Sequence, residues 1–177
     1  MANDIRAIPT IYKGISFRSR LEARWAIIFD RLGIDWHYET EGYDIPFEDG
    51  VTLRYLPDFV LYGGRERCPK KLFVEVKGQM QADDALKISA FAEHHPIYVV
   101  GPIPYDLNEI SGGVDAGFGI YYYNFQYVDD DYFGATLGAL KGGGWGLFGA
   151  DSTYWAAMDE AKTRQAYAAG RAAHFEY

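Results

Sequence analysis

The chain has 177 residues, 49% of them hydrophobic and 17% aromatic, which suits one domain, 1–177, built on a single core. It shows no apolar run near the about 20 residues that span a bilayer, no secretory-type leader and no disulfide partner for its lone Cys68, so a cytoplasmic protein with no membrane partner is expected. The net charge of −8 is uneven, with 13 Lys+Arg against 15 Asp+Glu in residues 1–100 and 4 against 10 in residues 101–177, which excludes indiscriminate nucleic-acid binding but leaves room for a local basic groove.

In chain order, "FRSRLEARWAIIFDRLGI" predicts a helix. Leu21, Trp25, Ile28 and Leu32 recur at helical spacing, Ser19 stands at the N-cap, and Gly33 stands where a left-handed C-terminal residue is wanted. "DWHYETE" reads as a strand, and "YDIPFEDGVTLRYLPDFVLY" as a hairpin turning at Asp49-Gly50, followed by a further extended segment after Pro57. A polar loop leads into "LFVEVKG". Then "ADDALKISAFAEHHP" predicts a helix with Leu86, Ala90 and Phe91 in register, stopped by Pro96, and "IYVVGPIP" a short apolar strand. "GFGIYYYNFQYV" adds a candidate strand, "GATLGALKGGGWGLFG" is too rich in glycine to assign, and residues 152–175 predict a final helix with a break near Gly170. The order of elements is that of an α+β or mixed-sheet α/β fold.

Along "LFVEVKG" side chains alternate, so Leu72, Val74 and Val76 make one face while Phe73, Glu75 and Lys77 make the other. Glu75 and Lys77 then read either as an exposed edge pair or as part of a site. Upstream, Asp58 behind Pro57 is either a turn residue or, if the two segments are neighbouring strands, a second carboxylate converging on Glu75. Converging carboxylates repel, and a hard divalent cation with oxygen ligands relieves the repulsion. A lysine beside such an ion suits phosphodiester hydrolysis, by orienting or deprotonating water or by neutralising a phosphate.

Pro57-Asp58 followed by Glu75-Val76-Lys77 resembles the motif of the PD-(D/E)xK nuclease superfamily. The "FRSRLEARWA" and "DDALK" helices are also similar to members of it, in particular phage endonuclease I-type junction resolvases and TnsA-type transposon endonucleases. The resemblance covers residues 17–101. It implies a restriction-endonuclease-like core, a mixed central β-sheet flanked by helices, with residues 102–177 as a C-terminal helical extension serving specificity or oligomerisation. It further implies a DNA endonuclease using Mg²⁺, or Mn²⁺ in its place, with Glu22, Asp58, Glu75 and Lys77 as catalytic residues. Asp58, Glu75, the Val76 carbonyl and Glu22 would be the metal ligands. A resolvase would be a homodimer and a TnsA-like subunit would need a transposase partner. The alternative is an inactive nuclease-fold module that binds nucleic acid or a protein.

Glu22 also fits a capping box with Ser19, as the residue that reaches back to the Ser19 amide. Arg18, Arg20 and Arg24 are either a solvated helix face or clamps on the DNA backbone, and Gln79 and Lys87 are further candidates for substrate contact. Other features carry less chemistry. His37, His94 and His95 lack partners at zinc spacing, "KGGGWG" is only half a phosphate-binding loop and reads as a flexible connection, "DDD" at 129–131 reads as a solvated turn, and Phe175 and Tyr177 read as docking contacts.

Overall fold

A computed structural model describes residues 7–47, 50–65, 68–105, 107, 119–121, 132–133, 135–149 and 156–175. Strands β1 (Thr10–Tyr12) and β2 (Ile15–Phe17) form a hairpin that leads into helix α1 (Arg20–Leu32). The caps of α1 are the ones its sequence asks for. The Ser19 hydroxyl accepts from the Glu22 amide, and Gly33 at φ 75° closes the other end, where the Gly33 and Ile34 amides donate to the Asp30 and Phe29 carbonyls. Strand β3 (Asp35–Tyr38) follows, then the hairpin of β4 (Tyr43–Pro46) and β5 (Thr52–Tyr55), and then β6 (Phe59–Tyr62) and β7 (Lys71–Val76). Helix α2 (Ala82–Ala92) joins β7 to β8 (Ile97–Val100), which lies parallel to it, the crossover that a parallel pair requires. Short strands β9 (Gly119–Tyr121) and β10 (Tyr132–Phe133), the hairpin of β11 (Ala135–Ala139) and β12 (Trp145–Gly149), and helix α3 (Glu160–Ala172) complete the order.

The central sheet has six strands in the order β10-β9-β8-β7-β6-β3, with only the β7–β8 pair parallel, so the fold is α+β around a mixed sheet. Period-two alternation gives each face its own core. Phe59, Leu61, Leu72, Val74, Val76, Tyr98 and Val100 pack with α1, α3 and the β11–β12 hairpin, whereas Val60, Phe73, Ile97 and Val99 pack with α2 and the β4–β5 hairpin. Phe59 is fully buried in the first core, its ring 5.2 Å from Phe29, 5.6 Å from Trp36, 5.2 Å from Tyr38 and 5.9 Å from Phe17. Truncating such a ring costs about 3–5 kcal/mol. That packing anchors the backbone at Asp58. In the second core Phe91 is ringed by Tyr43, Tyr55, Phe73 and His95 at 4.6–5.2 Å, which anchors Tyr55.

Four expectations need correction. Leu86 is exposed, and the buried face of α2 is Ile88, Ala90, Phe91 and Ala92. The glycine-rich stretch is a β-hairpin. Gly143 and Gly144 turn it with φ 83° and 86°, so "KGGGWG" is a hydrogen-bonded turn and not a loose connection. Its glycines also answer to packing, because a Cβ on Gly138 would lie 3.1 Å from Thr163 Oγ1 and 3.3 Å from Met158 Cε. The last helix starts only at Glu160, with Asp159 as its cap, and it runs through Gly170 unbroken. Gly170 is there because α1 passes close by: a Cβ would meet Ile28 Cγ1 at 2.7 Å and the Arg24 carbonyl at 3.1 Å.

The described residues of 102–177 share the first core and bring strands β9–β12 as well as α3, so this part is not a helical extension. Tyr167 packs edge-on to Trp25 at 5.7 Å, the Tyr98 and Tyr167 hydroxyls donate to the Ala135 and Leu137 carbonyls, and Trp145 Nε1 donates to the Tyr62 carbonyl. Asp129, Asp130, Asp131 and Tyr177 lie outside the described residues. No helix among the described residues is long and apolar enough to cross a membrane.

Candidate active site

The antiparallel register of β6 and β7 runs from Tyr62 opposite Lys71 to Phe59 opposite Val74. One step further, Asp58 falls level with Glu75, and two steps further Pro57 falls against Val76. A proline has no N–H, so it cannot give the Val76 carbonyl its ladder bond, and the ladder ends there. The Val76 amide is satisfied by a side chain, donating to Asp58 Oδ2 at 2.7 Å. The proline thus ends the strand pairing where a carboxylate can take over one of its bonds.

Both carboxylates are buried, Asp58 at 2% exposure and Glu75 at 4%, and they are held alike. Asp58 takes the Val76 amide on Oδ2 and the Arg18 guanidinium on Oδ1. Glu75 takes the Tyr55 hydroxyl on Oε2 at 2.7 Å and the Lys77 ammonium on Oε1 at 2.9 Å. Each carboxylate therefore has one oxygen fixed by a neutral donor from the core and one oxygen facing a side-chain cation.

The electrostatics show what the cations are relieving. Burial first, and then the charge of Glu75, push the Asp58 carboxyl up to about 8, with Glu22 adding to the rise, and the Val76 amide and Arg18 offset only part of it. Burial and the Glu75 charge likewise hold the Tyr55 hydroxyl far above its ordinary value, so it remains a donor. For Arg18 and Lys77 burial alone favours the neutral form, but the carboxylates they face outweigh it and raise both. Lys77 bridges Glu75 to Asp84 Oδ1 at 3.0 Å, and Asp84 also accepts from the Gln81 amide in the capping box of α2. A lysine so paired stays charged at neutral pH. In this arrangement it suits neutralising a phosphate better than deprotonating water.

Glu22 approaches from α1 with both oxygens engaged. Oε2 accepts from the Tyr38 hydroxyl at 2.5 Å and the Arg18 amide at 3.0 Å, and Oε1 accepts from the Ser19 hydroxyl at 2.7 Å. The capping box is thus modified, since the carboxylate reaches the amide before the cap rather than that of Ser19. Glu22 still adds to the negative field on Asp58.

The structure brings together Asp58, Glu75, Val76, Lys77 and Arg18, with Glu22 at their edge. It does not bring in the other expected contacts. Arg24 donates to the Ala173 carbonyl at the end of α3, Arg20 is half-buried at the start of α1, Gln79 is exposed between β7 and α2, and Lys87 is exposed on α2. A further group of basic residues close in sequence, Arg65, Lys70 and Lys71, sits at the far end of the β6–β7 ladder, and Arg67 lies outside the described residues. Reading by motif missed Tyr55, Tyr38, Glu39 and Asp84. Only Asp84 carried a local signal, three residues after Gln81 at a helix start.

With Arg18 and Lys77 in place, no three His, Cys, Asp or Glu side chains among the described residues form a metal-binding group. The donor chemistry nonetheless fits Mg²⁺. Asp58 Oδ1 and Glu75 Oε1 are buried hard oxygens with excess negative charge between them, and the Val76 carbonyl is deprived of its ladder donor. No family model, curated protein or solved structure matches the chain. The resemblance to the PD-(D/E)xK nucleases accordingly rests on these residues themselves.

Proposed function

We propose that the protein is a metal-dependent endonuclease that hydrolyses DNA phosphodiesters, with a restriction-endonuclease-like core. The observation that carries this reading is the matched pair of buried carboxylates, each with its inner oxygen held by a neutral donor and its outer oxygen facing a cation, beside Lys77. Asp58 and Glu75 would hold Mg²⁺ or Mn²⁺, and the ion would supply activation of the attacking water. The chain's own contributions are then distinct. Asp58 and Glu75 hold the ion, the Val76 amide and Tyr55 keep them oriented, and Lys77 offsets charge developing on the scissile phosphate while Asp84 aims it. Arg18, the most exposed of these groups, can meet the DNA backbone.

The experiment is a cleavage panel of single-stranded, duplex, flapped and four-way DNA with Mg²⁺ or Mn²⁺, comparing the native protein with Lys77→Ala. The variant is expected to keep its fold and metal binding and to lose about 10²–10⁴-fold in cleavage rate. Unchanged nicking by Lys77→Ala would sink the assignment.

One observation favours a second reading, a nuclease-fold module that binds nucleic acid or a protein without cutting. Arg18 and Lys77 already pair with both carboxylates, as a purely structural ion-pair network would. Absence of Mn²⁺ binding, together with no cleavage of any DNA form, would move this reading ahead.

A further inference from the structure

Arg18 and Lys77 face equivalent carboxylate oxygens but are held very differently. The Lys77 side chain is 25% exposed and bridges Glu75 to Asp84, so it is pinned from both sides. The Arg18 side chain is 57% exposed and reaches Asp58, itself 3% exposed, from the solvent side. Its Nε also lies 2.6 Å from Glu39 Oε1, so the same guanidinium is ion-paired to a second carboxylate. Glu39 is also one of two non-glycine residues with positive φ among those described, at 44°, and its amide donates to the Asp58 carbonyl at 2.9 Å. A left-handed glutamate is strained, and the tie to Asp58 holds it there. The result is a carboxylate fixed beside Arg18 that can keep the guanidinium when it leaves Asp58.

Charge points the same way. Four carboxyl groups, those of Asp58, Glu39, Glu75 and Asp84, contact two cationic side chains, and a fifth, Glu22, accepts from the Arg18 backbone amide. Arg18 is the exposed one of the two, and an exposed cation on one of the two outer oxygens is a group that a denser positive charge can displace.

We propose that Arg18 is an exchangeable internal counter-cation: it closes the acidic pair by sitting on Asp58, leaves Asp58 Oδ1 when a divalent cation binds, and remains tethered to the waiting Glu39 carboxylate. This rests on the metal-site reading above. It assigns Arg18 as a competitor of the metal rather than as a residue that only clamps DNA. By linkage, removing Arg18 strengthens metal binding and weakens the metal-free protein, because the same contact does both.

The test needs no DNA. Mn²⁺ is titrated calorimetrically into the native protein, Arg18→Ala and Arg18→Gln, and the melting temperature of each is measured with and without Mn²⁺. The neutral Gln variant keeps a hydrogen-bonding group against Asp58 and serves if the Ala variant does not fold. Removing the positive charge is expected to tighten Mn²⁺ binding about tenfold, within the range usual for coupled sites, while lowering the metal-free melting temperature and enlarging its rise with Mn²⁺. Unchanged or weaker Mn²⁺ binding in both variants, with the native protein binding normally, overturns the role given to Arg18 and leaves the nuclease reading standing. Tighter Mn²⁺ binding by the variants, with no cleavage by the native protein in the separate DNA panel, supports the exchange and removes the nuclease. No Mn²⁺ binding by any form overturns both.

Discussion

Two aspartates near α1 meet opposite surroundings. Asp30, in its last turn, accepts from the Tyr12 hydroxyl at 2.8 Å and Trp36 Nε1 at 3.2 Å and pairs with Lys13 at 2.8 Å. Burial alone would raise its carboxyl, but these three partners outweigh that and bring it below the usual value. Asp58, beside the first turn, has two donors, a second buried carboxylate as its neighbour, and a carboxyl pushed far up. One aspartate ties β1, β3 and α1 together and is satisfied by them. The other is held at a cost that the fold does not relieve.

The sharpest way to break this comparison is pH. A carboxyl raised in the folded state makes that state bind a proton the unfolded chain has released, so Asp58 lowers stability as pH rises from its unfolded value of about 4 towards its folded value. A carboxyl lowered in the folded state does the reverse, so the contribution of Asp30 is present above about pH 4 and is lost as pH falls. Asp58→Asn is therefore expected to gain stability relative to the native protein between pH 5 and pH 8, on the order of 3 kcal/mol, read by denaturant unfolding without metal. A pH-independent difference would mean that Asp58 is as well compensated as Asp30.

Asp30→Ala is expected to destabilise by about 2 kcal/mol at pH 7, or about 5 °C in melting temperature, because three donors lose a charged acceptor. Native-like cleavage in the folded fraction would keep Asp30 on the structural side of the comparison. Between the two ends of α1, Gly170→Ala forces a methyl against Ile28 and is expected to cost about 1–2 kcal/mol in thermal unfolding. Gly142→Ala, which meets nothing within 4 Å, should stay within about 0.5 kcal/mol.

Much of the frame was legible because it depends on local chemistry. Ser19 and Gly33 bracket α1, Pro57 ends a strand pairing, and the alternation of "LFVEVKG" assigns Val74 to one core and Phe73 to the other. The motif residues Asp58, Glu75 and Lys77 could be picked out on the same basis. What failed was reading glycine as a breaker. Gly138 and Gly170 are small because α3 and α1 press on them, and a pattern of neighbours in sequence cannot show a neighbour in space. The arginines failed likewise: Arg18 and Arg24 look alike along the chain, yet one turns onto Asp58 and the other onto the end of α3.

By itself, then, the sequence determined which segments are helix and strand through most of residues 10–100, and which three polar residues, Asp58, Glu75 and Lys77, stand at the strand ends, since both follow from periodicity, caps and residue type. Only the tertiary structure decided what those carboxylates face. Tyr55 comes from a separate hairpin, Arg18 from the turn before α1 and Asp84 from the start of α2, and burial at 2–4% exposure, which gives each contact its strength, is a property of the assembled sheet and its two cores.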